Sequence, residues 1–129
     1  MTAGYSGTPL PRKLGVTPDS RVLVLNAPEG FDPGAAFHRR AGREPYDVVL
    51  LFCADIATLE RHFVTAAARH STAGMIWVCW PKKASGVPTD LTENHVREFG
   101  LANGQVDVKI AAIDATWSGL KFVTRLQDR

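Results

Sequence analysis

The sequence predicts an α/β domain in which helices cover both faces of a mostly parallel five-stranded sheet that ends in an antiparallel hairpin. Short, fully apolar runs alternate along the chain with segments whose apolar residues recur at helical spacing. These runs have strand length, and a strand that is apolar on both faces is typical of a parallel sheet. Near the carboxyl terminus, two strand patterns are joined by the tight linker "DATWSG", which predicts the hairpin. Helices on both faces of one sheet make a single three-layer domain.

Length and composition fit one globular domain with a substantial core. The chain has 129 residues, of which 45% are hydrophobic and 22% are charged. Its 15 basic and 13 acidic residues give a net charge of +2, which argues against a dedicated nucleic-acid-binding protein. The amino terminus lacks the apolar segment of a signal peptide, and no apolar run reaches the roughly 20 residues of a membrane span. We therefore predict a cytoplasmic protein with no membrane partner.

The first half of the chain is predicted to hold an N-terminal arm and two strands. Residues 1–20 are rich in Gly, Pro, Ser and Thr and are expected to pack as an arm on the domain formed by residues 21–129. Within the arm, Pro11 to Leu14 are predicted to form a short helical turn that Gly15 ends. Three further elements follow: a strand at Val22 to Leu25, a short helix at Ala35 to Arg40 and a strand at Tyr46 to Ala54.

The second half alternates helices and strands before the closing hairpin. Asp55 is the predicted N-cap of a helix whose last turn holds His70, close to the negative end of the helix dipole. Asp90 and Glu93 have the spacing of a capping box and predict the start of the next helix, which Gly104 ends. The predicted strands of this half are Met75 to Trp80, Gln105 to Ile113 and Trp117 to Leu126.

The order and sequence of these strands resemble the class I methyltransferase fold, a Rossmann-like fold, with two strands removed. The strings "RVLVLNAPEG", "YDVVLLFCA" and "GMIWVCWP" look like its first, fourth and fifth strands. The strings "VDVKIAAID" and "WSGLKFVTRL" look like its closing hairpin. The resemblance implies a core that lacks the second and third strands.

The chain is also similar to an uncharacterised family of small actinobacterial proteins, which is defined as a domain of unknown function. Four strings carry the similarity: "YSGTPLPRKLG", "LNAPEGF", "WPKKASGVPTDLTE" and "DATWSGLKFV". The similarity extends over nearly the whole chain and supports the fold, but it implies no activity.

The loop after the first strand departs from the pattern of true methyltransferases. Those enzymes place a Gly-x-Gly-x-Gly-like loop there, so that the backbone can approach the cofactor. They also hold the ribose hydroxyls with an acidic residue at the end of the second strand. This chain has "NAPEG" at residues 26–30, in which Pro28 removes a backbone donor, and the second strand is missing from the pattern. We therefore predict no cofactor and rank methyl transfer below the other functions, because function follows the site rather than the fold.

A candidate anion site is predicted at the carboxyl ends of the strands, where open α/β sheets bind ligands. The loop after the third strand is the longest at this rim and combines two lysines, a Ser-Gly turn and a helix N-terminus, which favour a phosphate or carboxylate. Trp117, or Tyr5 from the arm, could stack on a planar group. The predicted ligand-binding residues are Asn26, Lys82, Lys83, Ser85 and Trp117. The alternative is that this loop is only a stiff connector whose lysines are solvated.

Other polar and reactive groups are open to two interpretations. A basic cluster could contact phosphates or an acidic partner, or it could be a solvated surface. The members of this cluster are His38, Arg39, Arg40 and Arg43. Cys53 and Cys79 could form a redox pair on neighbouring strands, or they could be buried, inert thiols. No metal-site spacing and no nucleophile–base pair stands out.

These observations favour a non-catalytic binding or regulatory module that binds a small anionic ligand or a protein partner. An enzyme acting on a phosphorylated or nucleotide-like small molecule is the first alternative, and an S-adenosylmethionine-dependent methyltransferase is the second. A homodimer is a further alternative, because the missing strands would leave one edge of the first strand open for pairing.

Overall fold

The computed structural model describes residues 7–129. The first six residues of the predicted arm, and with them the stacking role predicted for Tyr5, lie outside the described residues. In chain order, the elements are α1 (Leu10–Leu14), β1 (Val22–Leu25), β2 (Tyr46–Phe52), α2 (Ile56–Ala67), β3 (His70–Pro81), α3 (Glu93–Ala102), β4 (Gln105–Ala112) and β5 (Trp117–Thr124). Short 3-10 turns lie at Lys83–Ser85 and Leu126–Asp128.

The strands form one sheet in the order β1-β2-β3-β5-β4. β1, β2 and β3 pair in parallel, with Leu23 opposite Val49 and Val49 opposite Ile76. β5 runs antiparallel to both of its neighbours, so that four of the five strands point the same way. The fold class predicted from the sequence is therefore confirmed, including the closing hairpin.

The two faces of the sheet are covered unequally. On one face, α2 and α3 pack their apolar residues, among them Leu59, Phe63 and Val96, against the sheet. On the other face, the cover consists of α1 and the loop that follows β1. Leu14 of α1 is fully buried there, and its carbonyl accepts a 3.1 Å hydrogen bond from the indole Nε1–H of Trp77. This bond satisfies a polar atom that would otherwise be buried without a partner.

The helix predicted at Ala35–Arg40 is wrong. Residues 31–45 are irregular, and His38 forms a parallel bridge with Leu23 on the outer edge of β1. The His38 N–H donates to the carbonyl of Val22 at 2.9 Å, and the Val24 N–H donates to the carbonyl of His38 at 2.9 Å. The outward backbone groups of β1 need partners, and an extended segment supplies them where a helix would not. The expected open edge of β1 is therefore closed.

The boundaries around α2 and α3 also differ from the prediction. α2 ends at Ala67, and His70 begins β3 instead of ending the helix. The buried ring of His70 bonds Gln105 at 2.9 Å between Nε2 and Oε1, which fixes it in the sheet layer. The N-cap of α3 is Thr92, whose side chain accepts from the His95 N–H, and not Asp90.

No helix in the described part of the chain is both long and apolar enough to cross a membrane.

Candidate functional site

The carboxyl ends of β1, β2 and β3 and the hairpin loop meet at one rim of the sheet, as the sequence predicts. The Asn26 side chain, after β1, donates from Nδ2 to the carbonyl of Phe52 at the end of β2, at 3.3 Å. After β3, the N–H of Lys82 donates to the carbonyl of Thr116 in the hairpin loop, at 2.8 Å. These bonds tie the loops of the rim together in pairs.

Asn26 has a left-handed backbone conformation, with φ of 58°. Among the described residues it is the only non-glycine with a positive φ, and Asn tolerates this region better than most residues. The conformation turns the chain sharply away from β1, and the side-chain bond to Phe52 holds the turn. Asn26 therefore fixes the path of the loop after β1 and also lies at the rim.

Aromatic rings form one wall of the rim. Phe52 contacts Trp117 edge-to-face, with ring centroids 5.0 Å apart, and contacts Phe31 in the same way at 4.9 Å. The carboxylate of Asp114 holds the hairpin loop beneath Trp117, because its Oδ1 accepts from the N–H groups of Thr116 and Trp117, each at 2.8 Å. The position of Trp117 is thus set by packing and by its backbone.

A pocket of about 290 Å³ opens at this wall, and we call it the rim pocket. It is lined by Asn26, Phe52, Ala54, Thr58, His62 and Trp117. Two of the predicted site residues, Asn26 and Trp117, are therefore brought together. Thr58 and His62 come from α2 and were missed by the sequence analysis. Their signal was present, since polar residues four positions apart, just after the Asp55 cap, share a helix face at the rim.

The remaining predicted site residues do not line the rim pocket. The Ser85 hydroxyl donates to the carbonyl of Lys82 at 2.7 Å and accepts from the Val87 N–H at 3.1 Å, so it holds its own turn. Lys83 lines a second pocket of about 290 Å³ together with Asp90 and Glu93. Lys82 lines neither of these two pockets, although its backbone is bonded beside Trp117.

The carboxylates near the rim hold backbone groups. Asp55 Oδ1 accepts from the N–H of Thr58 at 2.8 Å and from its hydroxyl at 2.7 Å, and these bonds lower the pKa of Asp55 below its ordinary value. Asp90 Oδ1 accepts from the Ile56 N–H at 2.8 Å. The lowered pKa makes Asp55 a weaker general base, and Asp90 and Asp114 are occupied as acceptors of backbone hydrogen bonds.

The two thiols are buried on opposite faces of the sheet. Cys53 belongs to the core under α2 and α3, whereas Cys79 belongs to the core under α1. Burial, and then the charge of Asp55, raises the pKa of Cys53 to about 12. Burial also raises the pKa of Cys79 well above its ordinary value. Both thiols stay protonated at neutral pH, which favours the interpretation as inert core residues over a redox pair.

The basic cluster lies outside β1, away from the rim pocket. The His38 ring bonds the hydroxyl of Tyr46 at 2.6 Å, and the Arg39 guanidinium lies 5.0 Å from the ring centre of Phe37. Arg39 lines a wide surface depression with Phe31 and Phe37. Within residues 7–129, no three His, Cys, Asp or Glu side chains converge as metal ligands.

The strand order and the closing hairpin are those of the class I methyltransferase-like folds. The fibrillarin pre-rRNA processing protein of Methanococcus jannaschii superposes with a TM-score of 0.58 at 17% identity, over 84% of this chain and 69% of that one. DhpI in its SAH complex superposes with a TM-score of 0.56 at 11% identity, over 90% and 71%. A proposed methyltransferase of Thermoplasma acidophilum superposes with a TM-score of 0.55 at 11% identity, over 84% of this chain and 70% of that one. At these identities the likeness shows the fold alone.

No protein-family model matches the sequence, and no curated protein is detectably similar to it. The similarity to an uncharacterised actinobacterial family therefore stays a prediction.

Proposed function

We propose that this protein is a non-catalytic binding module with a methyltransferase-like fold, and that its rim pocket takes a small planar ligand with an anionic group. The observation that carries the proposal is the composition of the rim pocket. Phe52 and Trp117 supply an aromatic wall, Asn26, Thr58 and His62 supply hydrogen-bonding groups, and no carboxylate lines it. Such a pocket accepts a flat, partly apolar group and orients it by a few polar contacts.

The size of the rim pocket favours a compact ligand. Small-molecule sites generally enclose about 300–1,000 Å³, and the rim pocket, at about 290 Å³, falls at the lower limit. A single ring system with one charged substituent suits this volume better than a complete nucleoside cofactor. The backbone of Lys82 is bonded to the hairpin loop beside Trp117, and we propose that its side-chain charge serves a ligand in the rim pocket.

The outer edge of β1 supports a role other than methyl transfer. In the methyltransferase fold, the second strand lies along this edge and ends in the acidic residue that holds the ribose. Here the parallel bridge of His38 occupies the edge, and the residues that follow it are Arg39 and Arg40. The charge at that position is therefore the opposite of what ribose hydroxyls need, which agrees with the single-glycine loop after Asn26.

The state of the carboxylates and thiols near the rim, among the residues that the structure describes, supports a binding role over an enzymatic one. Asp55, Asp90 and Asp114 accept backbone hydrogen bonds, and the thiols of Cys53 and Cys79 are protonated. One observation favours the alternative of an enzyme for phosphorylated or nucleotide-like molecules: the imidazole of His62 lines the rim pocket, where it could act as a general base.

A thermal-shift screen tests the proposal. The panel contains aromatic carboxylates, aryl phosphates, nucleotides, sugar phosphates, S-adenosylmethionine and SAH. A ligand at 100 times its dissociation constant adds about 2.7 kcal/mol to the free energy of unfolding, which corresponds to roughly 10 °C in a chain of this size. We expect a shift with a planar anion that Trp117→Ala and Lys82→Ala each reduce.

The matched control is Lys83→Ala, which removes the same charge from the neighbouring position but lies in the second pocket. If Lys83→Ala reduces the shift as much as Lys82→Ala, the ligand does not sit in the rim pocket. A shift with S-adenosylmethionine would support the methyltransferase alternative, and turnover lost in His62→Gln would support the enzyme. No shift with any compound would favour a protein partner.

A further inference from the structure

A groove lies between α1 and the edge strand β4, and we call it the β4 groove. It encloses about 440 Å³. Its lining residues are Thr8, Arg12, Lys13, Lys109, Ile110, Ala111 and Ala112. The Lys13 Nζ donates to the carbonyl of Ala112 at 3.1 Å and so joins the two walls. The β4 groove shares no lining residue with the rim pocket, and it has no role in the function proposed above.

Positive charge dominates the β4 groove. Arg12, Lys13 and Lys109 line it, and Lys121 stands opposite Lys109 in the register of β4 and β5. Neither α1 nor β5 contains a carboxylate, and none lines the groove. The carboxylate of β4, on Asp107, is engaged elsewhere, because it accepts from Arg97 Nε at 2.9 Å.

The pairing of Lys109 with Lys121 lowers the stability of the unliganded protein. Like charges directly opposite each other on neighbouring strands destabilise a sheet. Burial, and then the charge of Lys109, lowers the pKa of Lys121 below its ordinary value. The Nζ of Lys109 lies over the ring of Trp77, 5.9 Å from its centre, which keeps this ammonium group on the same face as α1. An anion in the β4 groove would relieve the repulsion.

We propose that the β4 groove binds a small molecule carrying two or more phosphate groups through Arg12, Lys13 and Lys109. A groove with three lining cations and a fourth beside it matches a polyphosphate better than a single carboxylate. Arg12 can contact two phosphate oxygens at once through its guanidinium fork, and the lysines act as point charges beside it. The volume of about 440 Å³ suits a small ligand, whereas the net charge of +2 is low for a protein that binds nucleic acid.

Isothermal titration calorimetry with inorganic tripolyphosphate tests this site on the full chain. We expect saturable binding of one tripolyphosphate per chain, with orthophosphate weaker and with affinity falling as salt rises. The double variant Arg12→Gln/Lys109→Gln is expected to lower the affinity at least about tenfold, since it removes two charge-assisted contacts. The matched control is Arg40→Gln/Arg43→Gln, which removes two exposed positive charges outside the groove and is expected to leave the affinity unchanged.

Three results would overturn the proposal. The first is an equal loss of affinity in the two double variants, which would indicate attraction by net charge alone. The second is no binding of tripolyphosphate at low salt by wild-type protein. The third is tighter binding of a single-stranded oligonucleotide than of tripolyphosphate through Arg12 and Lys109, which would assign the groove to nucleic acid. Thermal midpoints of all variants, measured first, establish that each one is folded.

Discussion

The carboxylate of Asp90 accepts a hydrogen bond from the backbone N–H of Ile56, at 2.8 Å, so the loop after β3 caps the helix that precedes that strand. The first turn of α2 thus has two side-chain acceptors, since Asp55 accepts from the N–H of Thr58. An N-terminal turn has four N–H groups without intrahelical partners, and negative charge is favourable there. Asp90 therefore links the long loop at residues 82–92 to the wall of the rim pocket.

Removing this link is expected to destabilise the protein. Asp90→Ala leaves the Ile56 N–H without its acceptor, and the loss of an N-capping side chain costs about 1 kcal/mol. Chemical denaturation measures the change, and amide exchange at Ile56 locates it. Asp90→Asn keeps an acceptor oxygen in place and is expected to lose less. The interpretation fails if the alanine and asparagine variants are equally stable.

The reassignment of Asp90 shows where sequence patterns reach their limit. Asp90 and Glu93 have capping-box spacing, but Thr92 is also a good cap and lies directly before the first helical residue. Local sequence allows either cap. The choice depends on α2, which is 34 residues away from Asp90 in the chain and offers its Ile56 N–H only once the sheet has formed.

The rest of the fold was predictable to different degrees for similar reasons. Three elements were predicted correctly because their signals are local. An apolar run predicted β1, a glycine after the last helical residue predicted α1, and a tight linker predicted the hairpin. The segment around His38 was predicted wrongly as a helix, because its extended form depends on pairing with the edge of β1. In the rim pocket, Asn26 and Trp117 follow from strand ends. The spacing of Thr58 and His62 shows that they share a helix face, but only the packing of α2 on the sheet turns that face toward the pocket.

The hydroxyl of Tyr46 is expected to hold the His38 segment on β1. It bonds His38 Nδ1 at 2.6 Å and accepts from the Gly42 N–H at 2.8 Å. Tyr46→Phe keeps the buried ring but removes both bonds, which is expected to cost about 1–2 kcal/mol. Hydrogen exchange at the amides of His38 and Val24 should accelerate, while amides of β3 keep their protection.

Light scattering of the Tyr46→Phe variant then tests the homodimer prediction. If the loosened segment exposes β1, self-association should rise with concentration in the variant and stay lower in the wild type. A wild-type protein that already dimerises through β1 would contradict the closed edge described here.

The two buried thiols are expected to be unreactive in the folded protein. They are also expected to lower its free energy of unfolding at alkaline pH. An unfolded thiol ionises near pH 8.5–9, whereas Cys53 has a pKa of about 12 when folded. The unfolded state therefore loses a proton that the folded state keeps. The free energy of unfolding should fall as pH rises from about 9 toward 12, by up to about 1.4 kcal/mol per pH unit for this group.

Denaturation of wild-type protein and Cys53→Ala between pH 7 and pH 10.5 checks this dependence. The alanine variant loses some packing at every pH but should show a shallower decline above pH 9. A thiol reagent should leave both cysteines unmodified without denaturant. Parallel pH profiles for the two proteins, or rapid labelling of the native state, would contradict the buried and protonated assignment.

The lysine pair beside the β4 groove is expected to oppose stability in the absence of ligand. Lys109→Gln removes the repulsion on Lys121, and like charges opposite each other on a sheet cost about 0.2–1 kcal/mol. The thermal midpoint of the unliganded variant should rise by a few degrees at low salt, and the gain should shrink at high salt because screening already weakens the repulsion. The pKa of Lys121, followed by NMR, should rise in the same variant. Lys83→Gln removes an exposed lysine elsewhere and should change neither quantity. A midpoint for Lys109→Gln at or below the wild-type value would mean that its contact with the Trp77 ring outweighs the repulsion.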